Sequence, residues 1–138
     1  MMLIRSFVAP SGIEGVGVFA AENIKKGSVI WKLDTKFDRL VTPGQIKEFP
    51  PHMQEFMARY AYPLHDKPDT LVLEADNGRF MNHSNNPNSD FKEIVVGYAA
   101  RDILKGEEIL CDYSEFDPSH ELLPSLLPMM ADIEPALA

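Results

Sequence analysis

The chain has 138 residues, 45% of them hydrophobic, which is enough for one compact domain with a core and too few for two. A formal charge of −8 and a pI near 4.9 argue against binding nucleic acid directly, since phosphate neutralisation needs clustered Lys and Arg, and favour a basic partner. No apolar run approaches the roughly 20 residues that span a bilayer, no signal-peptide pattern is present, and the single cysteine, Cys111, excludes an internal disulfide or a multi-cysteine zinc site, so a soluble intracellular protein without a metal is expected.

Leu3 to Ala9 is short, rich in apolar and aromatic residues and closed by Pro10-Ser11-Gly12, which predicts a strand running into a turn. Val16 to Ala20 predicts the returning strand, and Ser28 to Leu33, after the Lys26-Gly27 turn, a third. From Thr42-Pro43 through about Tyr62, a candidate N-cap followed by proline and helix-compatible runs broken at Pro50-Pro51 predicts two short helices. Leu71 to Glu74 reads as a strand, Asn82 to Ser89 as a polar loop, and Ile94 to Ala100 as the strongest strand signal in the chain. Past Tyr113, four prolines divide a tail in which Leu122, Leu123, Leu126 and Leu127 could cover an apolar groove.

One stretch is used twice. Phe19 to Ile30 aligns without gaps on Tyr98 to Ile109, each copy ending a strand, making one capped turn and restarting a strand. Asn23 and Asp102 suit the cap, Ile24 and Ile103 suit burial, and Gly27 and Gly106 suit the positive φ that reverses the chain.

Three segments could carry chemistry. Gly15-Val16-Gly17-Val18-Phe19-Ala20 satisfies the G-x-G-x-x-G/A string of dinucleotide folds, but too few residues separate Ala20 from the next strand for a crossover helix, so a nicotinamide-binding fold is excluded. The glycines then serve a tight hairpin or the close approach of a ligand to the backbone. Arg79 to Asn88 is the densest polar cluster, suited to a tied-down loop or to presenting amide edges to a ligand, while His52, His65, His83 and His120 lack metal-ligand spacing. Gly106 to Tyr113 ends a strand with an acid and a tyrosine.

Taken together and in this order, Gly-Val-Gly-Val-Phe-Ala, Arg-Phe-Met-Asn-His-Ser-Asn-Asn-Pro-Asn and Ala-Arg-Asp-Ile-Leu-Lys-Gly-Glu-Glu-Ile-Leu-Cys-Asp-Tyr resemble the signature motifs of the SET-domain protein lysine methyltransferases. The resemblance covers roughly residues 3 to 116, with a variable insert at about 42 to 70, and leaves 117 to 138 as a tail. It implies a mainly β fold with short helices, the β-clip of that family, with several small sheets and a C-terminal pseudo-knot. It implies transfer of a methyl group from S-adenosyl-L-methionine, leaving S-adenosyl-L-homocysteine, to the side-chain amine of a lysine in a histone or other basic protein. The alternative is a non-catalytic SET-like module that binds a peptide.

Residue by residue, the resemblance implies a cofactor pocket from Gly15, Val16, Gly17, Asn82 and His83, with Arg79 and Phe80 beside it, Tyr62 between cofactor and lysine channel, and Phe116 covering the adenine. Tyr113 matches the catalytic tyrosine. Phe91 and Cys111 match positions that line the lysine pocket, and neither carries an aromatic hydroxyl, which implies more than one methyl per lysine. Many relatives close the channel with zinc-binding cysteines that this chain lacks, and Asn85-Asn86 stands where relatives often have another. The leucine-rich tail is the candidate replacement lid, and partner recognition falls to the domain's own surface, with homodimerisation left open.

Overall fold

The computed structural model describes residues 1–64, 67–93 and 95–116. The expected lid at 117 to 138, and Ile94 of the strand predicted from Ile94 to Ala100, lie outside the described residues. Ten strands and two helices make up the regular structure among the described residues: β1 (Ser6–Pro10), β2 (Val16–Ala20), β3 (Val29–Lys32), β4 (Arg39–Val41), α1 (Pro43–Lys47), α2 (Pro51–Tyr60), β5 (Tyr62–Leu64), β6 (Lys67–Leu73), β7 (Asn82–His83), β8 (Ser89–Asp90), β9 (Val96–Ala99) and β10 (Glu108–Cys111). The strands form three small sheets, in the orders β1-β2-β10-β7, β3-β9-β8 and β4-β6-β5, so the chain is mainly β as expected.

The Gly-Val-Gly-Val-Phe-Ala string enters a strand rather than a helix, because β1 and β2 pair antiparallel from Ser6↔Ala20 to Pro10↔Val16. Gly15 takes a φ of +49°, a left-handed conformation that favours glycine, just before β2 begins. The first strand starts at Ser6 rather than Leu3. Before it, Leu3 N–H donates to the Ile30 carbonyl and Met2 bridges to Trp31, so the opening residues serve a different neighbour.

The duplicated stretch folds as a quasi-twofold pair. Ile24 and Ile103 face each other across an antiparallel bridge, each N–H donating to the other's carbonyl at 2.8 Å, and both side chains are buried. Gly27 and Gly106 take φ of +84° and +91° at equivalent turns. Gly27 N–H donates to the Ala99 carbonyl while Gly106 N–H donates to the Ala20 carbonyl. The caps, however, cross over: Asn23 Oδ1 accepts from Lys105 N–H and Asp102 Oδ1 from Lys26 N–H, each at 2.8 Å. Each copy thus caps its partner's turn, not its own, which locks the two together. Around this axis pack Val18, Ala20, Ile30, Trp31 and Ile109, and the same core continues through Met81, Phe91, Ala99, Cys111 and Phe116.

Between the two copies lies the helical insert. Thr42 is the N-cap of α1 in a full capping box with Gln45, and Pro43 sits at the first helical position, as the sequence indicates. Pro50-Pro51 separates the helices by opening α2 at Pro51. Two edge strands escaped the sequence reading: β4 and β5, three residues each, flank β6 in their sheet. The expected loop from Asn82 to Ser89 is bounded by the two-residue strands β7 and β8, because β10 runs parallel to β7 (Leu110↔Asn82, Cys111↔His83) and β8 pairs β9. That parallel pairing brings the second and third motifs side by side.

Candidate functional site

The last strand ends where Asp112 caps a single 3-10 turn, Tyr113–Glu115. Asp112 Oδ1 accepts from Ser114 Oγ at 2.7 Å and Ser114 N–H at 2.9 Å, and the hydroxyl bond is the main reason its carboxyl is held below the usual range. The turn directs the Tyr113 ring inward, and its hydroxyl donates to the Met81 carbonyl at 2.6 Å. Burial pushes the Tyr113 phenol above its ordinary range, so it stays protonated at neutral pH.

His83 is tied to the same turn. Tyr113 N–H donates to His83 Nδ1 at 3.1 Å, which makes Nδ1 the acceptor and Nε2 the donor, here to Asn85 Oδ1 at 2.9 Å. The His83 and Tyr113 rings lie 5.3 Å apart. One parallel step between strands therefore fixes the Asn-His and Asp-Tyr segments against each other.

Asn82 serves the first motif. Its Nδ2 approaches the Glu14 carbonyl at 3.2 Å, the Val16 carbonyl at 3.1 Å and Glu108 Oε1 at 2.9 Å. A Cβ on Gly17 would collide with the Glu108 carboxylate and stand 3.2 Å from Asn82 Nδ2, so any larger residue there would displace that carboxylate from its Ser11 and Asn82 partners. The expected pocket residues Gly15, Val16, Gly17 and Asn82 thus form one hydrogen-bonded unit, in which the Asn82 amide nitrogen holds the backbone of the loop. Ser11 Oγ joins it by donating to both Glu108 oxygens.

A cavity of about 180 Å³ opens within the same fold, and its Arg59 reaches this unit through a 2.9 Å ion pair with Glu14, while Gly15, Val16, Gly17 and Asn82 themselves do not line it. It is walled by the end of α2 and the start of β5 (Ala58 to Pro63), by Glu74, Gly78, Arg79 and Met81, and by Phe91, Cys111, Tyr113 and Phe116. Tyr62, Arg79, Phe91, Cys111, Tyr113 and Phe116, which the sequence divides among cofactor, channel and catalysis, share this one cavity. Aromatic contacts build the wall: Tyr62 to Phe116 at 4.9 Å and Phe91 to Phe116 at 5.0 Å between centroids. Phe91 and Cys111 are buried, and burial raises the Cys111 thiol well above its usual range, so it is an inert neutral group.

Arg79 stands on the 3-10 turn Asn77–Phe80, which Asp76 caps. Its guanidinium lies 4.9 Å from the Phe80 ring centroid, and Phe80 packs edge-on to Tyr60 behind the cavity. The Arg79 Nε is buried with no hydrogen-bond partner among the described residues.

Glu74 was not foreseen. It ends the apolar run Leu71-Val72-Leu73 and reads in sequence as the polar close of a strand, yet it is only 5% exposed and lines the cavity. Tyr62 OH donates to its Oε1 at 3.1 Å. Burial is the main cause that lifts its carboxyl from 4.5 to about 7, with the Tyr62 bond opposing. No group of three or more His, Cys, Asp or Glu side chains placed to hold a metal occurs among the described residues, and none of their helices is long and apolar enough to cross a membrane.

Comparison with protein-family models matches residues 15–114 to the SET domain. The chain is 30% identical over 125 residues to the Drosophila melanogaster histone-lysine N-methyltransferase trr, covering 83% of this chain and 5% of that protein. It is 31% identical over 128 residues to a Schizosaccharomyces pombe histone-lysine N-methyltransferase named as specific for H3 lysine 4, covering 85% of this chain and 13% of that one. It therefore spans a small fraction of the curated relatives it matches. Among solved structures, a humanised mutant of the Chaetomium thermophilum Polycomb Repressive Complex 2 superposes with a TM-score of 0.59 at 20% identity, over 83% of this chain and 15% of that one, a likeness of fold.

Proposed function

The chain belongs to the SET-domain family, and from that premise we propose that it transfers a methyl group from S-adenosylmethionine to the side-chain amine of a lysine in a basic protein, a histone being the first candidate. The observation that carries this reading is the Tyr113 hydroxyl, held by the Met81 carbonyl at the wall of an aromatic cavity whose Arg59 pairs with Glu14 at the start of the Gly15–Gly17 loop.

The residues present fit the cofactor. The buried Arg79 Nε lacks a partner among the described residues, and a carboxylate such as the cofactor's amino-acid end would satisfy it. Asn82 and Glu108 hold the Gly15–Gly17 backbone, and Tyr62 and Phe116 offer aromatic cover. When bound, the cofactor supplies a methyl group made electrophilic by its sulfonium.

The chain's own residues then need to position the amine and exclude water. The Tyr113 hydroxyl donates its proton to Met81, so what it offers an incoming amine N–H is its oxygen. Its raised pKa keeps it a neutral acceptor rather than a phenolate. Tyr62, Phe91 and Phe116 desolvate the ammonium, which favours the neutral amine that attack requires. Residues 3 to 116 would form the catalytic unit, with the parallel β7–β10 pairing supporting a pseudo-knot.

Calorimetric titration with S-adenosylhomocysteine tests the reading. One site with loss of affinity in Arg79→Ala is expected, and no binding by the folded protein would remove the methyl-transfer assignment.

A further inference from the structure

We propose that Glu74 is the proton acceptor for the amine substrate: its carboxylate, at the cavity wall beside Tyr62, meets the incoming lysine ammonium and takes its proton. This role rests on the methyl-transfer reading above, while its test needs no methyl transfer.

The geometry places a carboxylate in a chamber otherwise lined by apolar and aromatic side chains and by two arginines that are engaged elsewhere, Arg59 with Glu14 and Arg79 over the Phe80 ring. Glu74 is 5% exposed, lines the same cavity as Tyr113, and among the described residues receives one hydrogen bond, from Tyr62 OH. No cationic side chain among the described residues lies within ion-pair distance of it. A Cβ on Gly78 would stand 2.5 Å from Glu74 Oε2, so glycine at that turn makes room for the carboxylate. Such a group is costly to bury unless something meets it, and a cavity that opens onto it provides the place.

A carboxylate that merely paired with an ammonium would work against methylation by stabilising the charged amine. Handing over the proton resolves this. An N–H bond of the ammonium breaks, an O–H bond forms on the carboxylate, and the electron pair stays on nitrogen as the nucleophile. Two opposite charges become two neutral groups, the favoured state where water is scarce. The surroundings point the same way, because burial already biases Glu74 toward its protonated form. The groups acting on it are Tyr62 OH from β5, the terminal ammonium, and the carboxyls of Asp38 and Asp76.

The test uses n-butylamine, the lysine side chain without its backbone, and the full chain labelled with carbon-13 at the Glu carboxyls. At pH 8 the Glu74 resonance should sit at its ionised position and move toward the carboxylic-acid position as n-butylamine saturates the cavity. Glu74→Gln should remove that resonance and weaken n-butylamine at least tenfold, while n-butanol binds both proteins equally and so reports an intact cavity. A Glu74 resonance that stays at the ionised position with amine bound, equal amine affinity in both proteins, or no amine binding by either, each overturns the proposal. A protein that passes this test yet transfers no methyl group would overturn the function proposed above and leave the amine site standing.

Discussion

Replacing Tyr113 by Phe separates a packing role from a chemical one. The substitution removes one hydroxyl and keeps the ring that packs 5.3 Å from His83 and lines the cavity. What the fold loses is the 2.6 Å bond to the Met81 carbonyl, a net contribution of about 1 kcal/mol, rising to roughly 2 if the carbonyl is left dry. That corresponds to a fall in Tm of about 4 to 8 °C for a domain of this size. If the hydroxyl oxygen also orients the amine at the transferring methyl, its loss falls on the transition state. A hundredfold decrease in kcat is then expected, equivalent to about 2.7 kcal/mol of barrier, with KM and S-adenosylhomocysteine affinity nearly unchanged. Steady-state transfer to one lysine substrate, thermal melts and cofactor titration on both proteins measure the three quantities. Turnover within threefold of wild type would refute the reasoning, and a matched loss of melting temperature and cofactor affinity would reassign Tyr113 to the core.

Asn82→Ala should cost about 1 to 3 kcal/mol of stability in urea unfolding as well as cofactor affinity, because it strips the Glu14 and Val16 carbonyls and Glu108 of their shared donor; loss of affinity with stability unchanged would contradict the tie. Glu74 binds more protons folded than unfolded between pH 4.5 and about 7, so wild-type stability should fall as pH rises through that window, by about 3 kcal/mol. Glu74→Gln should remove this contribution, leaving a flatter slope between unfolding curves at pH 5 and pH 8, and parallel slopes would show that the carboxyl is not held in its acid form. Ile103→Ala, which opens a hole on the quasi-twofold axis, should destabilise by roughly 2 to 5 kcal/mol in the same assay, whereas a change below 1 would mean that the two copies are not locked through this pair.

Local chemistry was legible where a residue's type dictates its backbone. Gly27 and Gly106 take the positive φ their turns require, and Thr42-Pro43 opens α1, because these signals act within a few residues. The cross-over of the Asn23 and Asp102 caps was not legible, since either residue could cap its own turn and only the meeting of two distant stretches selects the other. Strands β4, β5, β7 and β8 escaped for a related reason: at two or three residues they have no periodicity, and pairing alone makes them strands. The motif order pointed to Tyr113, Asn82 and His83, and the structure brings their segments together. Glu74 stayed hidden because one acid after Leu71-Val72-Leu73 looks like a solvated strand end, and its burial comes from Tyr62 and the 3-10 turn closing over it.

The central claim is methyl transfer to lysine, and label transfer tests it most directly. Wild-type protein incubated with methyl-labelled S-adenosylmethionine and a panel of basic proteins, histone H3 among them, should label at least one lysine located by mass spectrometry. From Phe91 and Cys111 at the cavity wall, products beyond the monomethyl state are expected at long times. Label on no lysine of any protein in the panel, by a protein that binds S-adenosylhomocysteine, would contradict the account.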